Sequence, residues 1–329
     1  MTETNSLLAL PISLRDIYWA RQAIAPLVRR TPLVYSPGLS IYAGTSVYLK
    51  LENQQATGAF KLRGAANRLL ALTPDERQKG VITVSTGNHG RAVAYVAQRL
   101  DMRAVICVPD LVLPHKLEAM RALGAEVLIH GHTQDEAEIY AMQLQSEQDL
   151  MLVSAFDDPH IIAGQGTIGL EILEELPQVD TVIVPLSGGG LMGGIALAMK
   201  SASTNIGTVG VSQALEPAMA LSLQAGAPVA VIEEPSLADS LLGGIGLENR
   251  YTFPLIRDLV DEIVLLSEAE IAAAMVYALR QEKQVVEGGG SVGIGALLAG
   301  KVMHLGEHVV VVVSGGNVEM GKLLALLDR

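Results

Sequence analysis

The 329-residue chain contains a single cysteine, Cys107, set in the apolar run Ala104–Val108. One thiol builds neither a disulfide framework nor a thiolate metal site, and this points to a reducing, cytoplasmic setting. Basic residues are also few. Lys and Arg number 23 against 35 Asp and Glu, a net charge of −12, and no local Lys/Arg block interrupts the acidic balance. A broad nucleic-acid surface is therefore excluded. Charged residues reach only 18% while hydrophobic ones reach 50%, enough apolar material for a substantial core. The chain is neither disordered nor fibrous. Met1–Leu8 lacks the basic start and apolar stretch of an export signal. Thr181–Met199 carries no charge, yet Pro185 and Ser187–Gly190 break it where a membrane helix must be continuous. No membrane association is expected.

Short β-branched runs alternate with helical stretches. Val81–Ser85, Arg103–Val108 and Glu126–Ile129 read as strands, followed by helices over Gly90–Leu100, Pro114–Leu123 and Gln134–Gln148. Near-continuous Val and Ile without period-two polarity fits a parallel sheet covered on both faces. The second half repeats the theme with strands at Thr181–Leu186, Gly207–Ser212, Glu262–Leu266 and Glu307–Val313. Helices are expected at Leu191–Lys200, Pro217–Leu223, Glu268–Gln284 and Ser291–His304, with Leu241–Leu247 and Val285–Ser291 as glycine-rich loops. The valine run Val309–Val313 demands a central buried strand. Near the start, Ile12–Val28 reads as a helix, and extended stretches at Arg30–Leu33 and Ser46–Glu52 look antiparallel and suited to the C-terminal sheet. The expected division is a large cofactor-binding domain of residues 1–53 plus 150–329 and a small domain of residues 54–149.

Four segments carry candidate chemistry. Ser85-Thr86-Gly87-Asn88-His89-Gly90 follows a strand and opens a helix, where free amides receive an anion; the same turn serves equally as a helix cap. Ser187-Gly188-Gly189-Gly190-Leu191 also lies between strand and helix and suits a phosphate, although it is neither GxGxxG nor a Walker sequence. Ser314-Gly315-Gly316-Asn317 follows the valine strand at the carboxyl edge of the sheet, as a ligand site or a plain helix cap. Lys61 sits between Phe60 and Leu62 in a low-charge stretch. Poor hydration would turn it into a Schiff-base amine, whereas an ordinary lysine near a helix start is solvated. A reactive lysine, an anion loop, a second anion-binding turn and a neutral hydroxyl together suit pyridoxal phosphate.

The set Phe60-Lys61-Leu62-Arg63-Gly64, Ser85–Gly90, Ser187–Leu191 and Ser314–Asn317 resembles the threonine/serine dehydratase and serine racemase branch of the fold-type-II pyridoxal-phosphate enzymes, in the expected order from about residue 12 to the end. The resemblance implies an α/β fold of the tryptophan-synthase-beta-like kind: two open, twisted, mostly parallel sheets with helices on both faces. It implies Lys61 as the cofactor lysine and Cα proton shuttle, and Phe60 packed near the cofactor. Asn88 would meet the ring hydroxyl, Ser187, Gly188, Gly189, Gly190 and Leu191 the phosphate, and Ser314 the ring nitrogen. Ser85, Thr86, Gly87, Asn88 and His89 would receive the substrate carboxylate, with Thr86 a second catalytic group. Glu287 resembles the family glutamate near the ring, followed here by glycine instead of the usual proline; a solvated loop acid is the competing reading. A homodimer is implied by the family as well.

The implied reaction is loss of water from a β-hydroxy-α-amino acid, giving a 2-oxo acid and ammonia. A same-fold racemase or β-replacement enzyme is one rival, and a non-enzymatic small-molecule binding protein is another. Three departures qualify the match. Arg91 replaces the usual glutamine of the Asn-His turn, and Ser212 and Ala218 stand where a divalent-cation site has acids, leaving Glu216 alone nearby. No metal is expected there. Ser236–Gly244 reads Ser-Leu-Ala-Asp-Ser-Leu-Leu-Gly-Gly where simple threonine dehydratases have Ala-Asp-Gly, a variant similar to dehydratases of hydroxyectoine breakdown. The chain ends after the last core helix, which reads against a C-terminal regulatory domain.

Overall fold

The computed structural model describes residues 12–110 and 112–327. The chain opens with α1 (Leu14–Ile24), β1 (Leu33–Tyr35), α2 (Pro37–Ala43) and β2 (Ser46–Leu51). It continues through α3 (Lys61–Leu70), α4 (Pro74–Lys79), β3 (Val81–Val84), α5 (Asn88–Arg99), β4 (Ala104–Val108) and α6 (Pro114–Arg121). Next come β5 (Glu126–Ile129), α7 (Gln134–Gln148), β6 (Met151–Leu152), α8 (Pro159–Glu175), β7 (Thr181–Pro185) and α9 (Gly190–Ala202). The last part holds β8 (Gly207–Gln213), α10 (Ala218–Ala225), α11 (Thr252–Leu259), β9 (Glu262–Leu266), α12 (Glu268–Arg280), α13 (Gly288–Leu298), β10 (His308–Val313) and α14 (Met320–Ala325).

Six strands form one sheet in the order β1-β2-β10-β7-β8-β9, and four form a second in the order β5-β4-β3-β6. All neighbouring pairs are parallel except β1 with β2. The valines of β10 explain its central place: Val310 and Val312 enter one hydrophobic cluster, while Val309, Val311 and Val313 enter the cluster on the other face. Both faces of a parallel sheet are buried, so neither side of the strand has a polar position. The antiparallel entry of β1 and β2 and their junction with β10 agree with the sequence expectation. They are separated by a helix, α2, started by the Ser36 side chain accepting from the Leu39 amide.

Other expectations need correcting. The four-stranded sheet takes β6 from beyond residue 150, so the return to the larger sheet falls after Leu152. Residues 288–290 are not loop but the first turn of α13. An added Cβ at Gly288 would lie 2.1 Å from the Leu237 carbonyl oxygen, at Gly289 2.1 Å from the Ser240 hydroxyl, and at Gly290 2.4 Å from the Gly315 carbonyl oxygen. The glycines admit neighbouring backbone; they do not break the helix. Helix α12 stops at Arg280, short of the expected Gln284, and α13 stops at Leu298, short of the expected His304. Thr181–Met199 resolves into β7, a turn and α9, and among the described residues no helix is long and apolar enough to cross a membrane.

Candidate active site

The parallel strands bring their carboxyl ends, and the turns that follow, to one region between the sheets. Lys61 is the first residue of α3. Its entry is fixed by the Phe60 amide donating to the Ser314 carbonyl at 2.9 Å and by a β-bridge between Ala59 and Gly315. The half-buried Lys61 Nζ donates to the Ala155 carbonyl at 2.7 Å and lies 5.3 Å from the Phe60 ring centroid. Burial pulls its pKa down to about 8, against the opposing pull of the Glu287 carboxyl. Roughly a tenth of the amine is then neutral and nucleophilic at pH 7, far more than for an ordinary lysine.

The turn after β3 leads into α5 with Gly87 as its N-cap residue and no side-chain cap on the first amides. Ser85, Thr86, Gly87 and Asn88 are half-buried, and the Gly87 amide donates to Ser85 Oγ at 3.3 Å. His89 is buried, with Nε2 at 3.2 Å from the Val153 carbonyl. A carbonyl only accepts, so Nε2 carries the proton and Nδ1 is a bare acceptor, which has no hydrogen-bond partner. Burial, with Lys61 nearby, holds the imidazole down at about 3, so it stays neutral.

Asn88 Nδ2 donates to Glu287 Oε1 at 2.6 Å, and Asn88 Oδ1 accepts from Asn317 Nδ2 at 2.7 Å. Asn317 Nδ2 also reaches the Thr57 carbonyl at 2.9 Å, while its Oδ1 accepts from Arg91 Nη1 at 2.8 Å. Arg91, the departure from the usual glutamine, thus braces this amide pair. Glu287 is 6% exposed, not a solvated loop acid. Burial and then Asp239 push its carboxyl up to about 7, while Asn88 pulls the other way.

The glycine loop after β7 opens α9. Gly188 and Gly190 pass against Phe156; a Cβ on Gly188 would lie 2.4 Å from that ring. Gly189 adopts φ +89°, a left-handed conformation open to glycine, and an added Cβ there would lie 2.9 Å from both Met219 and Thr252. No side chain caps the first amides of α9. Ser187 is half-buried and Leu191 buried beside them. Ser314, at the end of β10, is 4% exposed. Cradle, amine and hydroxyl fit a molecule with one phosphate, one aldehyde and a ring nitrogen that meets a neutral group.

One segment the sequence reading missed ties these parts together. Residues 154–158 follow β6: the Ala155 carbonyl holds Lys61, Phe156 lines the glycine loop, and Asp158 caps α8 through the amides of His160 and Ile161. Asp157 accepts from the amides of Arg250, Tyr251 and Thr252 at 2.8–2.9 Å, fixing the start of α11. The Ala155 role runs through its backbone carbonyl, and the Asp157 carboxylate meets amides some ninety residues away, so neither has a local signal. Asn317 closes the Ser314–Asn317 motif, and no role for its side chain was expected from the sequence. Ser212 lies at the end of β8 and Ala218 starts α10. Among the described residues no group of three or more His, Cys, Asp or Glu is placed to hold a metal ion.

The profile of the family described as pyridoxal-phosphate dependent enzyme matches residues 24–315. A Sinorhizobium fredii protein, named provisionally as a threonine dehydratase, is 50% identical over 301 residues, covering 92% of this chain and 91% of its own. The L-threonine ammonia-lyase of Thermotoga maritima is 42% identical over 302 residues, covering 92% and 75%. Among solved structures, maize serine racemase superposes with a TM-score of 0.90 at 33% identity, covering 96% of this chain and 97% of that one.

Proposed function

The chain belongs to the pyridoxal-phosphate dependent enzymes, in their fold-type-II threonine/serine dehydratase branch, and on that premise we propose that it converts L-threonine or L-serine to a 2-oxo acid and ammonia. The observation that carries the reading is the Lys61 amine, half-buried and held by the Ala155 carbonyl, within the site that also contains the uncapped glycine turn of α9. The Thermotoga maritima relative's name supplies the substrate class. Bound pyridoxal phosphate supplies an electron sink that makes the Cα–H of an attached amino acid acidic.

In this reading the amides of Gly188–Leu191 hold the phosphate at the start of α9, where a helix favours an anion. Ser187 borders that turn and Phe60 packs beside the ring. Ser314 would meet the ring nitrogen with a hydroxyl, which would not stabilise a charged nitrogen as a carboxylate would. Lys61 removes the Cα proton, and the low polarity that lowers its pKa to about 8 keeps it a usable base. The Ser85–His89 turn receives the substrate carboxylate at the start of α5. The departing hydroxyl needs a proton, for which the Thr86 hydroxyl in that turn and the cofactor phosphate are the two candidates. Asn88 orients the ring hydroxyl, steadied by Glu287 and Asn317.

A large domain carrying the six-stranded sheet, a small one carrying the four-stranded sheet, assembly as a homodimer and a cytoplasmic location complete the proposal. The strand orders support the first two, and the lone buried thiol the last. Hydroxyectoine-derived amino acids find no support in the relatives' names and enter as a test arm. The test is 2-oxo acid release by cofactor-loaded protein from L-threonine, L-serine and hydroxyectoine-derived β-hydroxy amino acids. Release from L-threonine or L-serine is expected. Silence on both, from protein that carries its cofactor, would sink the reading; racemised substrate without ammonia would mark the rival.

A further inference from the structure

Beneath Lys61 lies a cluster of charges that the proposed reaction does not use. Arg63 is fully buried, as are Lys50 and Glu52, and Glu171 is 7% exposed. Arg63 Nε and Nη2 each donate to Glu52 at 2.8 Å, while Nη1 and Nη2 donate to Glu171 at 2.6 and 2.9 Å. Nη1 also reaches Thr167 Oγ1 at 3.2 Å and Nη2 the Arg29 carbonyl at 3.3 Å. Lys50 Nζ closes the group on Glu171 at 2.7 Å and on the Thr31 carbonyl at 2.6 Å. Burial opposes the charge on Arg63, and Glu52 and Glu171 outweigh it, so its pKa is raised. Burial likewise opposes the charge on Glu171, and Arg63 with Lys50 holds its pKa below the ordinary value.

Such a cluster is a weak source of stability, because desolvation consumes much of the Coulomb gain. Its geometry suggests another role. Two residues along an α-helix turn about 200°, so Arg63 points away from Lys61. The guanidinium fastens the far side of the first turn of α3 to Glu52, just after β2, and to Glu171 on α8. The near side is fastened through Phe60 and Ala59 to residues 314 and 315. Helix α3 also lies in backbone contact with α8, since a Cβ on Gly164 would stand 2.6 Å from the Arg63 carbonyl oxygen. The turn that carries Lys61 is thus held from both sides against rotation and sliding.

We propose that Arg63 is a positioning residue: its bidentate grip on Glu52 and Glu171 sets the rotation of α3 that presents the Lys61 amine to the cofactor. The inference rests on Lys61 being the cofactor lysine, and its test does not depend on which amino acid the enzyme consumes. Lysine at position 63 keeps the charge and loses the planar fork needed to hold both carboxylates.

Wild type and Arg63→Lys are saturated with pyridoxal phosphate and reduced with borohydride. Total bound cofactor and the fraction covalently fixed on the Lys61 peptide are then measured by absorbance and mass spectrometry. Total binding is expected to stay within about twofold of wild type while the fixed fraction falls about tenfold, because bond formation needs the amine within reach of the aldehyde carbon and binding of the phosphate does not. Glu52→Gln, which keeps the side-chain shape, is expected to lower the fixed fraction less, and it carries the test if Arg63→Lys does not fold. Met275→Ala, a buried truncation in α12 remote from this cluster, is the control for stability alone. It should lower Tm and leave the fixed fraction at wild-type level. A wild-type fixed fraction in Arg63→Lys, or in Glu52→Gln where that variant carries the test, overturns the inference. So does a fall in Met275→Ala that matches its loss of Tm. A wild type with bound cofactor and no Lys61 adduct overturns the lysine assignment itself, a distinguishable failure.

Discussion

Glu287 is a carboxyl group inside the protein, 6% exposed, hydrogen-bonded to Asn88 and pushed up to about 7 by burial and by Asp239. In the unfolded chain a glutamate titrates at about 4.3. Between these values the folded state binds the extra proton, so this group's contribution falls as pH rises and the full penalty is present above pH 7. The shift corresponds to roughly 4 kcal/mol. Glu287→Gln removes the titration and keeps an acceptor for Asn88. Urea unfolding of cofactor-free protein should show the variant more stable than wild type at pH 8 by up to that amount, with the gap closing towards pH 5. A gap that is constant with pH would contradict the assignment. Residues of this kind were legible in the sequence as far as they sit in short motifs: Lys61, Asn88, the Gly188–Gly190 turn and Ser314 meet in one region. What was not legible is work done by backbone or across a long span of chain. Ala155 acts through its carbonyl, and the Asp157 carboxylate caps a helix that begins at Thr252, some ninety residues on, so neither is announced by its local sequence.

At the scale of elements, α8 and its contacts with α3 and α9 are the clearest case of glycine used for proximity. A Cβ on Gly164 would meet the Arg63 carbonyl oxygen at 2.6 Å and Gly64 Cα at 2.7 Å, and one on Gly194 would meet the Ile162 carbonyl oxygen at 2.4 Å. Backbone cannot yield as a flexible side chain does. Gly164→Ala is therefore expected to cost ~1–3 kcal/mol by overpacking, measured by denaturant midpoint. Gly207→Ala, whose added Cβ finds only ordinary contacts beyond 3.5 Å, should lie within about 1 kcal/mol of wild type or above it. Equal losses at both sites would show that proximity is not the reason for Gly164. The same glycines explain why α8 goes unread in the sequence. Gly164, Gly166 and Gly169 look like breakers, and a helix buried from Ile161 to Ile172 shows no polar face to set the period. The β-branched strands were readable because burial on both faces leaves a run of one character, as in β10.

Across the whole molecule, two parallel sheets present their carboxyl ends to one site, where open α/β folds place ligands. Turns after β3, β7 and β10 carry Ser85–Asn88, Gly188–Gly190 and Ser314, and Lys61 opens α3. The order of these motifs along the chain and the joining of β2 to the C-terminal sheet were visible in the sequence; the motifs' convergence depends on the full strand order, β1-β2-β10-β7-β8-β9, a set of long-range pairings no local pattern encodes. The central claim is that the Lys61 amine acts at Cα in a site whose cofactor is also held by the glycine turn. Its most direct test compares Lys61→Ala with wild type for 2-oxo acid release from L-threonine, with bound cofactor measured in the same samples. The account predicts cofactor still bound in the variant and release reduced by ~10²–10⁴-fold, the usual worth of a placed acid–base group. Cofactor-loaded Lys61→Ala that releases 2-oxo acid at the wild-type rate would contradict it.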